Sequence, residues 1–143
     1  MVTTRASTEA DADFVNNLTR VAMGKYVEAT WHTTHERESY YLSNLFDQKN
    51  TRIIQYGAVN IGRVSVIEFS DHILFEEIHL LPDYQRRGIG TLLLQELLAH
   101  AKKKQLPVRL MVLQVNPARQ LYERLGFSIY DEDRERYYME TTA

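Results

Sequence analysis

The spacing of hydrophobic side chains changes period several times along this chain, and each change marks an expected element. Residues 2–7 are short and β-compatible. Ser7-Thr8-Glu9, followed by Asp11 and Asp13, supplies a helix start with acid at its dipole end, and Phe14, Leu18, Val21 and Ala22 then recur at helical spacing. Gly24 is expected to end that helix. A second helix is expected over 36–46, with Tyr40, Leu42, Leu45 and Phe46 available for packing. From Thr51 the pattern turns β-rich: runs over 51–56 and 58–69 flank a turn at Gly57 or nearer Asn60-Ile61-Gly62, and residues 73–81 follow Ser70-Asp71-His72 as a further strand. The segment 51–81 therefore reads as an antiparallel meander.

Helical spacing returns after Gly90, where Leu93, Leu94, Leu97, Leu98 and Ala101 form an apolar stripe ending in Lys102-Lys103-Lys104. Those lysines complement the helix dipole and are expected in solvent. Gln105-Leu106-Pro107 stops the helix, and a strand over 108–115 is expected parallel to the one before it, through a right-handed crossover. A short helix carrying Ala118, Leu121, Tyr122 and Leu125 should close at Gly126, a residue suited to the left-handed position after a helix. Segments 127–130 and 136–140 read as a closing hairpin around Asp131-Glu132-Asp133. The class is α/β (α+β).

Composition narrows the possibilities. A chain of 143 residues with 44% hydrophobic content supports one well-filled core, and no compositional break divides it, so a single domain over 1–143 is expected. The net charge of −2 gives no electrostatic case for nucleic acid or an anionic membrane as partner. There is no cysteine, which removes disulfides, thiolate metal sites and a cysteine nucleophile together. Met1-Val2-Thr3-Thr4-Arg5 lacks a signal-like apolar run, and the expected location is cytoplasmic. Oligomeric state is open, a homodimer included.

The chemistry concentrates in Gln85-Arg86-Arg87-Gly88-Ile89-Gly90, placed between an expected strand and an expected helix. Gly88 and Gly90 let a ligand approach the backbone, and the unpaired N–H groups of a helix's first turn favour an anion, which together describe a phosphate cradle. A dinucleotide fingerprint would need a third glycine where Leu93 stands, and a P-loop would need Gly-Lys-Ser/Thr where Gly90-Thr91-Leu92 stands. Arg86, Arg87 and Arg119 are the candidates for local positive charge.

This hexapeptide resembles the Q/R-x-x-G-x-G/A pyrophosphate loop of the GNAT superfamily of acyl-CoA-dependent N-acetyltransferases. Asn116-Pro117-Ala118-Arg119-Gln120-Leu121-Tyr122-Glu123-Arg124-Leu125-Gly126-Phe127 resembles that family's N-x-x-A-x-x-L-Y-E-x-L-G-F element, with one residue fewer between Asn116 and Ala118 than the commonest spacing. The resemblance implies a mixed, mostly antiparallel central sheet of about six to seven strands flanked by helices, around a strand–pyrophosphate loop–helix–strand core. It implies acetyl-CoA as co-substrate, bound by Leu80, Leu81, Gln85, Arg86, Arg87, Gly88, Ile89, Gly90, Thr91, Asn116 and Arg119. It implies Tyr122 as general acid. It also implies that the first two helices wall the acceptor pocket, with Tyr26, Trp31 and His32 lining it; the competing reading of Tyr26 and Trp31 is a hydrophobic lid over the core.

The activity so implied is transfer of an acetyl group to a primary amine of a small molecule, peptide or protein. Direct attack fits the missing cysteine and the absence of a serine in a nucleophile turn. A lysine-like amine with a pKa near ~10.4 is mostly protonated at neutral pH, so a base is needed, and Glu76, Glu77 and His79 are the candidates. Strand alternation puts Glu77 and His79 on one face with Phe75 and Leu81, and Glu76 on the other with Leu74, Ile78 and Leu80. The choice stays open. The resemblance further implies the N–H of Leu80 or Leu81 as donor to the thioester oxygen. The His32 and His35 imidazoles, with Glu36 beside them, would need a third ligand and an open coordination position, and nothing nearby has recognised metal-site spacing, so no metal is expected. The competing class is a non-catalytic acyl-CoA-binding module of the same fold.

Overall fold

A computed structural model describes residues 1–142. In chain order the regular elements are β1 (Val2–Ala6), α1 (Ala12–Thr30), α2 (Thr34–Ser43), β2 (Thr51–Tyr56), β3 (Val59–Glu68), β4 (Ile73–Leu80), α3 (Ile89–Lys104), β5 (Val108–Leu113), α4 (Ala118–Arg124), β6 (Ser128–Glu132) and β7 (Arg136–Glu140). The seven strands form one sheet in the order β1-β2-β3-β4-β5-β7-β6. β4 and β5 run parallel, whereas β1/β2, β2/β3, β5/β7 and β6/β7 are antiparallel, so the mixed, mostly antiparallel sheet is as expected. Among the described residues no helix is long and apolar enough to cross a membrane. The chain divides into two compact units, residues 1–65 with 77–90 and residues 66–76 with 91–143.

In the first unit, consecutive Ile53 and Ile54 on β2 are both fully buried. Side chains alternate along a strand, so both faces of β2 are covered there. β2 pairs Ile54 with Gly62 and Gln55 with Asn60, which leaves Ile61 as the extra residue of a bulge on β3. One turn of 3-10 helix at Glu9–Asp11 leads into α1, held by Thr8 and Asp11 in a reciprocal capping box and by Arg5, which donates to Asp11 at 2.8 and 2.9 Å.

α1 does not stop at Gly24. It continues to Thr30, because Met23 and Val27 extend the buried stripe begun by Val15 and Leu18. An interior glycine costs about 1 kcal/mol relative to alanine, and burying Val27 beyond it, at about 1.5–3 kcal/mol, outweighs it. α2 begins at Thr34, where Thr33 accepts from the Glu36 N–H at 3.1 Å, and ends at Ser43 rather than Phe46. Leu42 and Leu45, expected to pack, are 67% and 53% exposed.

In the second unit, β5 ends at Leu113, two residues short of expectation, where Gln114 turns to donate its N–H to Glu135 at 2.9 Å. β7 pairs along β5 from Arg109↔Glu140 to Leu113↔Arg136, which puts β6 at the sheet edge. Parallel pairing of β4 with β5 runs over Ile73↔Val108 and Leu74↔Arg109, as a strand–helix–strand crossover requires. Leu94 and Ala101 of α3 are buried with Val108, Leu110, Phe127 and Met139. Lys102, Lys103 and Lys104 are exposed, and Lys104 pairs with Glu68 at 2.8 Å.

Candidate active site

The turn after β4 is assembled from local punctuation. Pro82 opens a single 3-10 turn through Tyr84, and the N–H groups of Tyr84 and Gln85 donate to the carbonyls of Leu81 and Pro82 at 2.9 and 3.2 Å. Gln85 Nε2 donates back to the Leu80 carbonyl at 3.0 Å, tying the turn to its strand. Arg86 and Gly88 then take left-handed conformations, with φ of 61° and 78°. Left-handed residues in a turn converge successive N–H groups into an anion-binding concavity, and the sixteen-residue α3 starts at once, at Ile89, with its first N–H groups unpaired within the helix.

Gly88 is needed for its backbone angle, since a Cβ there would meet nothing within 4 Å. Gly90 has an ordinary φ, and a Cβ there would touch only Ile78 Cδ1 at 3.7 Å. The Arg87 guanidinium lies 5.2 Å above the Tyr84 ring, which itself packs against Tyr56 with centroids 6.1 Å apart. Gln85, Arg86, Arg87 and Gly88 are exposed, Ile89 is buried, and Thr91 in the next turn of α3 is half-buried. One of the two donors expected for a thioester oxygen is engaged: the Leu81 N–H bonds to the Ile61 carbonyl of the β3 bulge at 2.8 Å.

The three candidate bases differ sharply. Glu76 is exposed, on the face of β4 opposite to Glu77 and His79. Glu77 and His79 share a face of β4, as alternation requires, and both meet Arg63 of β3. His79 is 7% exposed, and burial, followed by the neighbouring Arg63 charge, pushes its pKa down to about 3. Its Nδ1 accepts from Arg63 Nε at 3.2 Å, which leaves the ring neutral with its proton on Nε2. Glu77 forms an ion pair with Arg63 Nη2.

In the second unit, Tyr122 projects from α4, half-buried, with its ring edge-on to Phe75 at 6.3 Å and to Phe127 at 5.9 Å. Asn116 Oδ1 accepts from the Ala118 N–H at 2.9 Å in the turn that leads into α4. Arg119 Nη1 donates to Glu123 at 2.9 Å and its guanidinium covers Tyr137 at 5.2 Å. Both side chains thus have structural partners.

Of the expected acceptor residues, Trp31 ends α1, packs at a tilt against Tyr40 with centroids 5.3 Å apart, and accepts from Arg37 Nε at its carbonyl at 2.8 Å. Tyr26 is half-buried beneath Lys25, and His32 is exposed. His35 is exposed as well, and no group of three or more His, Cys, Asp or Glu side chains able to hold a metal occurs among the described residues.

The acetyltransferase (GNAT) domain family matches residues 47–129, more than half of the chain. The chain belongs to this family. Solved structures agree on the fold. A PaiA N-acetyltransferase from Thermoplasma acidophilum in complex with coenzyme A is 21% identical, covers 100% of this chain and 99% of its own, and superposes with a TM-score of 0.75. Naa50 from Arabidopsis thaliana, in complex with the bisubstrate analogue CoA-Ac-MVNAL, is 17% identical with 99% of each chain covered and a TM-score of 0.67. A GNAT family acetyltransferase from Elizabethkingia anophelis with acetyl-CoA bound is 16% identical, covers 99% of this chain and 98% of its own, and gives a TM-score of 0.66. No curated protein matches the chain.

One residue of this GNAT chain escaped the sequence reading. Arg63 shares a strand face with Ile61 and Ser65, and an arginine in phase with buried isoleucine is the signal that marks it.

Proposed function

We propose that the chain transfers an acetyl group from acetyl-CoA to a primary amine by direct attack, with Glu77 as base and Tyr122 as general acid. The observation that carries this reading is the turn itself: left-handed Gly88 leads straight into the bare N-terminus of a sixteen-residue helix, in a chain of the GNAT family. Bound coenzyme A in the Thermoplasma relative and bound acetyl-CoA in the Elizabethkingia relative support the same ligand here. The main-chain N–H groups of Gly88, Ile89 and Gly90 then receive the pyrophosphate, with Arg86 and Arg87 supplying charge.

Glu77 takes a proton from the acceptor ammonium and passes it to solvent. The freed lone pair forms the new N–C bond, the C–S bond breaks, and the Tyr122 hydroxyl protonates the departing thiolate. The second proton lost from the attacking nitrogen restores Tyr122, so ammonium and thioester give amide, thiol and one released proton. His79 is unsuited to the base role because it is buried, neutral and occupied at Nδ1. A cysteine-free sequence fits a cytoplasmic setting.

The test is a panel of primary amines, from small diamines to peptides with free N-termini, incubated with acetyl-CoA and read by thiol release, with coenzyme binding measured by calorimetry. Thiol release with at least one amine, together with loss of binding in Gly88→Asp, is the expected result. Undiminished binding in Gly88→Asp would remove the turn from the site. Binding without release for any acceptor would assign a non-catalytic module.

A further inference from the structure

Arg63 is 3% exposed and spends four of its five N–H donors inside the first compact unit. Nε donates to His79 Nδ1 at 3.2 Å, Nη1 to Ser65 Oγ, and Nη2 both to Thr19 Oγ1 at 3.3 Å and to the Glu77 carboxylate. The supports are themselves fixed. Thr19 Oγ1 donates to the Val15 carbonyl at 3.1 Å, and Ser65 Oγ lies 3.0 Å from Thr51 Oγ1. Thr19, Thr51 and Ser65 are each at most 3% exposed. The guanidinium therefore has one available orientation, clamped from α1, β3 and β4.

Burying a guanidinium is costly unless every donor is matched, and replacing a buried pair with apolar residues is often neutral or stabilising. A buried arginine with four of its five donors matched, one of whose contacts is the carboxylate assigned as base, points to function. We propose that Arg63 is a positioning residue, whose guanidinium holds the Glu77 carboxylate in one place and in its ionised form so that it can receive the acceptor's proton. This rests on Glu77 being the base. Arg63 acts through Glu77, with His79 as the neutral spacer that fixes Nε from the other side and Thr19 and Ser65 as uncharged partners of the same guanidinium.

The experiment is a double-variant cycle. Arg63→Lys keeps the charge but loses the fork, and Thr19→Val removes one support while keeping the guanidinium. Each is measured in the wild-type and Glu77→Gln backgrounds for acceptor kcat/KM against pH, with acetyl-CoA affinity measured in parallel. Arg63→Lys should lower kcat/KM by about tenfold and move its acid limb to higher pH, Thr19→Val should lower it by about threefold, and neither should add to Glu77→Gln. Coenzyme affinity should stay within about twofold throughout.

Single-variant effects that multiply with Glu77→Gln, or variants indistinguishable from wild type while Glu77→Gln is impaired, would overturn the role of Arg63 alone. An inactive wild type, or an unimpaired Glu77→Gln, would overturn the base reading and this assignment with it. Should Arg63→Lys fail to fold, the Thr19→Val cycle decides by the same criteria.

Discussion

The Phe127 N–H donates to the Tyr122 carbonyl at 3.0 Å across Gly126, whose φ of 101° closes α4. Gly126 N–H donates to Glu123 at 3.1 Å, completing the paired bonds of a Schellman ending, and the Phe127 ring comes to rest against the Tyr122 ring. The backbone under Tyr122 is therefore fixed by the helix stop. Tyr122→Phe should lower kcat by about a hundredfold or more, the scale of a lost general acid, while acetyl-CoA affinity is unchanged. Steady-state kinetics beside calorimetry reads both; an unchanged kcat removes Tyr122 from proton transfer.

The same ending closes α3 with a different residue. Leu106 N–H donates to Ala101 at 3.0 Å and Gln105 N–H to Lys102 at 3.1 Å, with Gln105 itself at a φ of 58°. Left-handed geometry costs an L-residue about 1–2 kcal/mol that glycine does not bear. Gln105→Gly should thus raise stability by up to about 1 kcal/mol, and Gly126→Ala should lower it by about 1–2 kcal/mol. Urea denaturation of the pair checks the opposite signs.

What the sequence reveals and what it conceals divide along the range of the forces involved. The strand–turn–helix at Gln85–Gly90 and the stop at Gly126 were legible because glycine declares its backbone conformation locally. Gly24 misled for the same reason: burial of Val27 beyond it overrides a local stop signal. Arg63 carries a local signal in its phase with buried isoleucine, but its partners were illegible because they are distant in sequence, Thr19 lying 44 residues away and His79 16. The bond that Asn116 Oδ1 accepts from the Ala118 N–H just ahead of α4 was likewise visible only in the fold.

His79 makes stability depend on pH in a definite direction. Its folded pKa of about 3 lies below the ordinary histidine value, so between those limits the unfolded chain binds the extra proton. Stability contributed by the neutral ring is therefore fully present above about pH 6.5 and falls as pH drops, by up to ~1.4 kcal/mol per pH unit. His79→Gln should flatten that slope between pH 6 and pH 5, by chemical denaturation at the two values. An equal slope in both proteins would mean that His79 is charged in the folded state.

Gly62 sits where β3 passes closest to the end of β4. A Cβ there would collide with the His79 carbonyl and approach Leu80 Cδ2 at 2.8 Å and Leu80 Cα at 3.2 Å, and the atoms it meets are largely backbone. Accommodating a methyl group means pushing away the strand segment that leads into the turn at Gln85–Gly90. Gly62→Ala should therefore destabilise the protein by about 1–3 kcal/mol, the cost of overpacking, and weaken acetyl-CoA binding as well. Gly24→Ala is its counterpart: within α1, with nothing within 4 Å of the added Cβ, it should stabilise by about 0.5–1 kcal/mol and leave coenzyme affinity alone. Thermal denaturation and calorimetry on the two variants separate a glycine required by space from one the helix merely tolerates, and equal responses would mean that the close approach of Gly62 to Leu80 does not shape the turn.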